Sequence, residues 1–242
     1  LTDLQKVITE KHSVHPAKKP MKQNPDFDRL QTKENKVYFA HYDAKQSLCR
    51  QLNTSIPANW ALSPQIEMYN EYFGGSMNSI VFQEIREKRS LAYTAAAYFV
   101  EPNEKGRYTY NMTHIGTQND KLIDALEAFT DLLDNMPVSE LNFDIAKTAL
   151  MSEYRTNRIR KMSIINYYLN WEEKGLKAPT DKEDFNAIQK MTLNDVLNFN
   201  KTYIKGQKHT VVVLGNENEV DFKGLEKYGK ITKLTLDEIF GY

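Results

Sequence analysis

The order in which strand-like and helix-like patterns follow one another most constrains the fold of this 242-residue chain. β-Forming runs, several of them alternating, occupy residues 36–42, 47–56, 91–100, 108–115 and 209–214. Apolar residues at helical spacing mark residues 63–73, 118–135, 139–175 (with a break near Ser163), 181–190 and 193–203. Strands therefore come mostly in groups. This order predicts an α+β fold, in which helices are layered on one face of a mainly antiparallel sheet.

Three local signals predict where elements begin and end. Ser63-Pro64 is typical of a helix start, with Ser63 as the N-cap and Pro64 in the first turn. Gly74-Gly75 is expected to end that helix, because glycine tolerates the left-handed conformation that follows many helices. Gly106 lies between two β-forming runs, which predicts a hairpin.

A further helix is expected from about Ser76 or Asn78 to Arg89, followed by the strand at 91–100. Arg86 would then lie near the C-terminus of this helix, where the helix dipole favours a cation. Tyr93 would be an aromatic residue in a strand, as β-propensity favours. Judged by position alone, both residues have a structural explanation.

The first part of the chain differs in composition from the rest. Residues 1–34 are polar and lysine-rich, and Pro16, Pro20 and Pro25 disfavour regular structure there. We predict a linker over 1–34, with a possible short helix at 2–11, and a domain over 35–242. The chain begins without Met or a signal-peptide pattern, so we expect a C-terminal fragment or a cleaved chain.

Charge and composition exclude some partners. Lysine plus arginine and aspartate plus glutamate number 32 each, so the net charge is zero. A balanced charge gives no general attraction to nucleic acid or to anionic lipid. No apolar run reaches the length of a membrane-spanning helix. We therefore expect neither a nucleic-acid partner nor a membrane partner for this globular chain.

Motifs for metal binding and for nucleophilic catalysis are missing from the sequence. His12-x-x-His15 is the only close histidine pair, and it lacks the third ligand that zinc needs. Neither His-x-x-Glu-His nor Gly-x-Ser-x-Gly is present. Cys49, the single cysteine, is interpreted as an inert, half-buried thiol. We expect no metal and no cofactor in this chain.

A run of basic residues lies on the predicted long helix. It comprises Arg155, Arg158, Arg160 and Lys161. Such a run is usually a solvated face, and contact with another domain is the alternative.

Residues 72–93 carry a family resemblance. They read Tyr-Phe-Gly-Gly-Ser-Met-Asn-Ser-Ile-Val-Phe-Gln-Glu-Ile-Arg-Glu-Lys-Arg-Ser-Leu-Ala-Tyr. This segment resembles a pattern in the pitrilysin/insulinase family of inverted-zincin metallopeptidases: Gly-Gly, then a helix with Leu-Phe-x-x-Leu-Arg-Glu-Lys-x-Gly-Leu-Ala-Tyr. In that family the pattern belongs to the zinc-free domain. The wider resemblance covers residues 35–216.

The resemblance implies repeated α/β domains whose halves enclose a chamber. A His-x-x-Glu-His domain would bind zinc, whose bound water attacks the peptide carbonyl. The zinc-free domain would supply an arginine and a tyrosine seven residues apart, the positions of Arg86 and Tyr93 here. Tyr93 would stabilise the developing oxyanion, and Arg86 would hold substrate or orient the tyrosine. Ser90 replaces the usual glycine in the turn between them.

Three functions fit these features. In the first, the chain is the non-zinc domain of a zinc metalloendopeptidase, inactive alone. It would close over a peptide substrate together with a zinc domain of the same precursor or of a partner chain. In the second, it is a non-catalytic scaffold or regulatory member of the family. In the third, it is an unrelated α+β peptide-binding module. A His-x-x-Glu-His motif upstream in the parent gene would separate the first from the second.

Overall fold

The computed structural model describes residues 2–11 and 30–241. The strands in this part are β1 Lys36–His41, β2 Gln46–Pro57, β3 Thr94–Val100, β4 Tyr108–Gln118, β5 Thr210–Gly215 and β6 Lys230–Leu234. They form one sheet in the order β3-β4-β2-β5-β1-β6. β4 pairs antiparallel with β2 and β3, and β2 pairs antiparallel with β5, whereas β1 pairs parallel with β5 and β6. The predicted α+β fold with a mainly antiparallel sheet is confirmed.

The α-helices of the described residues are α1 Thr2–Lys11, α2 Ser63–Phe73, α3 Leu122–Asp134, α4 Glu140–Thr156, α5 Ile164–Lys174, α6 Asp181–Lys190, α7 Leu193–Tyr203, α8 Phe222–Leu225 and α9 Leu236–Phe240. A π-helical segment spans Phe82–Lys88. α1 lies where the sequence suggests a short helix, while the domain boundary at residue 35 stays a prediction. Within 2–11 and 30–241, none of the helices has the length and apolar character to cross a bilayer.

The core lies between one face of the sheet and the helices. Buried residues alternate along β2 and β4, which is the pattern of a sheet covered on one face. Phe99 of β3 meets Phe199 of α7 edge to face, with 5.1 Å between ring centroids. Phe39 of β1 meets Phe222 of α8 in the same way at 4.8 Å. Helices thus cover the buried face of the sheet, as predicted.

Gly74 and Gly75 end α2, but the predicted reason is wrong. Neither glycine has the left-handed conformation, and φ of Gly74 is −142°. A β-carbon on Gly74 would lie only 2.2 Å from the carbonyl oxygen of Ala97 in β3. The Gly74 carbonyl also accepts a hydrogen bond from the Ala97 N–H at 3.3 Å. Glycine is therefore needed here because the end of α2 touches the backbone of β3.

Ser63 begins α2 but does not cap it. The N-cap position belongs to Leu62, and Pro64 lies in the first turn. The Ser63 hydroxyl instead donates a hydrogen bond to Glu101 at 2.9 Å. The predicted N-cap is wrong because a 3₁₀ turn, Trp60–Leu62, leads directly into the helix.

The C-terminal part contains a strand that the sequence pattern did not predict. The strand-like runs in the sequence end at residue 214, but β6 pairs with β1 before α9 begins. β6 is short and mostly exposed at the sheet edge. Such a strand needs no hydrophobic alternation, and the pattern of its residues therefore gave no signal.

Cys49 is fully buried in β2, deeper than the half-buried position that the sequence suggested. Burial raises the pKa of its thiol to about 12. The thiolate is the reactive form of cysteine, so this thiol is unreactive near neutral pH.

Candidate functional site

Arg86 and Tyr93 lie on either side of a tight turn between the π-helical segment and β3. Two backbone hydrogen bonds close the helix: the Ser90 N–H donates to Arg86 at 3.1 Å, and the Leu91 N–H donates to Ile85 at 3.0 Å. Ser90 has φ of +50° and is the one non-glycine residue with positive φ in the described part of the chain. Glycine adopts this conformation freely, whereas an L-residue does so at a cost of roughly 1 kcal/mol or more. The turn therefore explains why the family pattern has glycine at this position.

The residues after the turn are held against the end of β4. The Tyr93 N–H donates to the Gly116 carbonyl at 2.9 Å, and the Thr117 hydroxyl donates to the Leu91 carbonyl at 2.6 Å. β3 itself begins at Thr94, so the predicted strand at 91–100 starts too early. The helix before the turn begins at residue 80, later than predicted. Tyr93 thus precedes the strand on an anchored backbone.

The structure brings the two predicted site residues into contact. The Arg86 guanidinium carbon lies 5.2 Å from the centroid of the Tyr93 ring and 4.8 Å from that of Phe82. Both distances are within the range of cation–π attraction. Tyr93 nevertheless remains 71% exposed. Arg86 therefore supports the Tyr93 ring from one side while the phenol faces solvent.

The polar ends of both side chains remain available. Among the described residues, none forms a hydrogen bond with the Tyr93 hydroxyl. Arg86 has a contact with Glu87, Nε to Oε1, at 3.6 Å, and both side chains are about half exposed. An exposed pair of this kind is weak. The arrangement can therefore present one phenol hydroxyl and several guanidinium N–H donors to a bound carbonyl.

A separate cavity of about 660 Å³ has Glu67 of α2, and Glu153 and Tyr154 of α4, in its lining. The Tyr154 hydroxyl donates a hydrogen bond to Glu67 at 2.6 Å. Burial raises the pKa of Glu67 to about 7, although this hydrogen bond opposes the shift. Sequence reasoning missed the pair because its members are 87 residues apart. The Glu67 carboxyl, which titrates near neutral pH, thus lies between helices α2 and α4.

We expect Glu67→Gln to stabilise the protein at alkaline pH. The pKa of Glu67 is raised above its ordinary value of 4.5 by folding, so ionisation destabilises the folded state. Stability should fall as the pH rises from 4.5 through 7 and then remain low. Glutamine removes this penalty and can still accept from Tyr154. At about pH 8 the free energy of unfolding in urea should rise by about 2 kcal/mol.

Glu153→Gln is the matched control, because this exposed carboxylate lines the same cavity. We expect it to weaken the dependence of stability on pH only slightly, because the charge of Glu153 makes the smallest contribution to the raised pKa of Glu67. The stability of Glu67→Gln is compared with that of the wild type at acidic and at alkaline pH. If the difference between the two proteins is the same at both pH values, Glu67 does not have a pKa near neutrality.

The described residues do not fit a zinc site. Within residues 2–11 and 30–241, no three His, Cys, Asp or Glu side chains come together as metal ligands. His12 and His15, the close pair in the sequence, lie outside the described residues.

The sequence suggested that the basic run lies on one long helix, but the structure divides it between a helix, a non-helical segment and a 3₁₀ turn. Arg155 is in the last turn of α4, residues 157–160 are not helical, and Lys161 begins a 3₁₀ turn. Arg158 donates hydrogen bonds to the carbonyls of Arg155 and Asn157 at 2.7 and 2.8 Å. These bonds stabilise the break between α4 and α5 and leave the charges exposed.

A family model described as "Peptidase M16 inactive domain" matches residues 1–150 of this chain. A search of curated proteins with the sequence of this chain found no match.

Solved structures with the same fold include several peptidases. The peptidase M16 inactive domain from Pseudomonas fluorescens is 16% identical with a TM-score of 0.65, covering 78% of this chain and 45% of that one. A protease from Helicobacter pylori is 13% identical with a TM-score of 0.64, covering 88% and 52%. The periplasmic protease PqqL from Escherichia coli is 17% identical with a TM-score of 0.56, covering 89% and 24%. At these identities the likeness shows the fold, and this chain spans about half or less of each relative's length.

Proposed function

This chain belongs to the peptidase M16 inactive-domain family, and from this we propose that it closes the substrate chamber of a zinc metallopeptidase. It is a non-zinc domain of the peptidase family, so the zinc and the attacking water would come from another domain. That domain would belong to the same precursor or to a partner chain. The substrate class is peptides, and the reaction is hydrolysis of an internal peptide bond.

The stacking of Arg86 on Tyr93 is the observation that carries this proposal. The guanidinium carbon is 5.2 Å from the ring centroid, and the phenol is 71% exposed. A tyrosine this exposed buries little apolar surface, so its contact with Arg86 contributes little to the stability of the fold. The pair instead presents donors outward on a fixed backbone, as a substrate-contacting surface requires.

Each side chain has a distinct role in the proposed reaction. Attack on a peptide carbonyl moves negative charge onto its oxygen, and a donor aimed at that oxygen stabilises the transition state more than the ground state. Tyr93 supplies this donor from its hydroxyl. Arg86 holds the ring in place and offers its remaining N–H groups to neighbouring substrate carbonyls. Water exclusion on closure of the chamber would strengthen both contacts.

The test is to assay this chain alone and then together with the zinc-domain region of its own precursor. We expect no cleavage of a fluorogenic peptide by the chain alone, and cleavage that a zinc chelator abolishes once both parts are combined. The Arg86→Ala, Tyr93→Phe double variant, mixed in the same way, is the matched control for the site. A folded complex of both parts that never cleaves peptides would refute the proposal and favour a scaffold role.

A further inference from the structure

The outward face of α5 carries a row of apolar side chains. Ile165 and Tyr168 are 69% and 58% exposed, and their neighbours Ile164 and Leu169 are 52% and 47% exposed. Surface helices usually present polar residues to solvent, so a contiguous apolar row marks an interaction site. With the charged residue at each end, the α5 stripe is defined as Lys161, Ile164, Ile165, Tyr168, Leu169 and Glu172.

The opposite face of α5 fixes the helix to the domain. Tyr167, Trp171 and Lys174 on this face are half-buried, whereas the side chains of the stripe are exposed. Trp60 donates a hydrogen bond from its indole N–H to the Lys174 carbonyl at 2.9 Å, and the Lys174 ammonium lies 4.8 Å from the Trp60 ring. The α5 stripe therefore projects outward from a helix whose other side is already occupied.

The α5 stripe is complementary to itself when it is read in the reverse direction. Counted outward from its midpoint, the matching positions are Ile165 with Tyr168, Ile164 with Leu169, and Lys161 with Glu172. Apolar positions match apolar positions, and the cationic end matches the anionic end. Lys161 lies in the 3₁₀ turn that leads into α5, and within the helix Ile165, Tyr168 and Glu172 are three and four residues apart. This is the spacing of residues along the seam between two paired helices.

We propose that the α5 stripe is a homodimer interface, in which α5 of one chain packs antiparallel on α5 of a second copy. A two-fold axis through the midpoint brings Ile165 against the partner subunit's Tyr168. It also brings Lys161 against the partner subunit's Glu172, and symmetry repeats this ion pair at the other end. Such an interface is closed, since each surface contacts its own copy. The proposal is independent of the peptidase function.

Charge next to the stripe favours the same orientation. Arg160 and Glu173 extend the two ends and match each other by the same count from the midpoint. A parallel arrangement would place like charges together at both ends, which opposes association. One helix from each chain forms a smaller contact than the roughly 1,200–2,000 Å² of stable interfaces. The dimer should therefore be weak and depend on concentration.

Sedimentation velocity of the 242-residue chain, from micromolar to near-millimolar concentration, tests the proposal. We expect the average mass to rise toward that of a dimer, and Ile165→Asp to lower the association constant by roughly tenfold or more. Leu141→Asp is the control, since Leu141 is 70% exposed in the first turn of α4 and lies outside the stripe. It should leave association unchanged, and circular dichroism should show that both variants are folded.

Charge exchange gives the second test, which a nonspecific apolar contact would fail. Lys161→Glu should weaken the dimer roughly tenfold, because it creates two repulsive pairs by symmetry. Glu172→Lys should do the same, and the double exchange should restore association. A wild-type chain that stays monomeric throughout, or a double variant no better than the single ones, would overturn the antiparallel interface.

Discussion

Tyr93→Phe should lower kcat roughly 10²- to 10³-fold in the peptidase assembled from this chain and its zinc domain, with KM nearly unchanged. The phenyl ring keeps its cation–π contact with Arg86, so the substitution removes only the hydroxyl. A donor that acts on the developing oxyanion contributes mainly at the transition state, and its loss therefore appears in kcat. Steady-state kinetics on a fluorogenic peptide measures both constants.

Tyr42→Phe is the control for this substitution. Tyr42 is also an exposed tyrosine, at 59%, but it lies after β1 and outside the Arg86–Tyr93 site. We expect it to leave kcat and KM unchanged. An unchanged kcat in Tyr93→Phe would show that the hydroxyl has no part in the reaction. A rise in KM alone would instead assign Tyr93 to ground-state binding of substrate.

Gly74→Ala should destabilise the domain by about 3 kcal/mol, at the upper end of the usual cost of overpacking. The added β-carbon would lie 2.2 Å from the Ala97 carbonyl oxygen and 2.6 Å from the Ala97 nitrogen. Both atoms belong to the backbone of β3, which is held in the sheet by pairing with β4. No side-chain rotation can relieve the clash, so α2 and β3 must separate. Urea unfolding measures the change.

Gly75→Ala is the matched control, one residue further along the chain. Its β-carbon would lie 3.0 Å from the backbone carbonyl oxygen of Asn70 and 3.4 Å from the side chain of Tyr98. We expect a loss of about 1 kcal/mol or less, because these neighbours can move by a few tenths of an ångström. Equal losses in the two variants would contradict the close approach of α2 to β3 as the reason for Gly74.

The sequence was most informative where structure depends on local pattern. The amphipathic helix α3 and the hairpin of β3 and β4 follow from hydrophobic periodicity and turn residues alone. β6 could not be predicted from the sequence, because an exposed edge strand has no such periodicity. The close contact at Gly74 could not be predicted either, because it depends on the distance between α2 and β3, which are separate in sequence.

The candidate site was predicted only in part. The family resemblance identified Arg86 and Tyr93 as candidate site residues. That their side chains contact each other could be seen only in the structure. Phe82 lies four residues before Arg86 on a helix, so its contact could have been inferred from helical spacing. The hydrogen bond of Tyr154 to Glu67 links two distant helices, and no local pattern in the sequence reports such a pair.

The pairing of β1 has a consequence for how the chain folds. Residues 36–41 pair with residues 210–215 on one side and 230–234 on the other. Contacts so distant in sequence require closure of very large loops, which slows folding. During synthesis from the N-terminus, β1 emerges long before either neighbour, so this edge of the sheet cannot form until residues 210–234 have left the ribosome. Until then β1 is an unpaired apolar strand, the kind of intermediate that aggregates or binds chaperones.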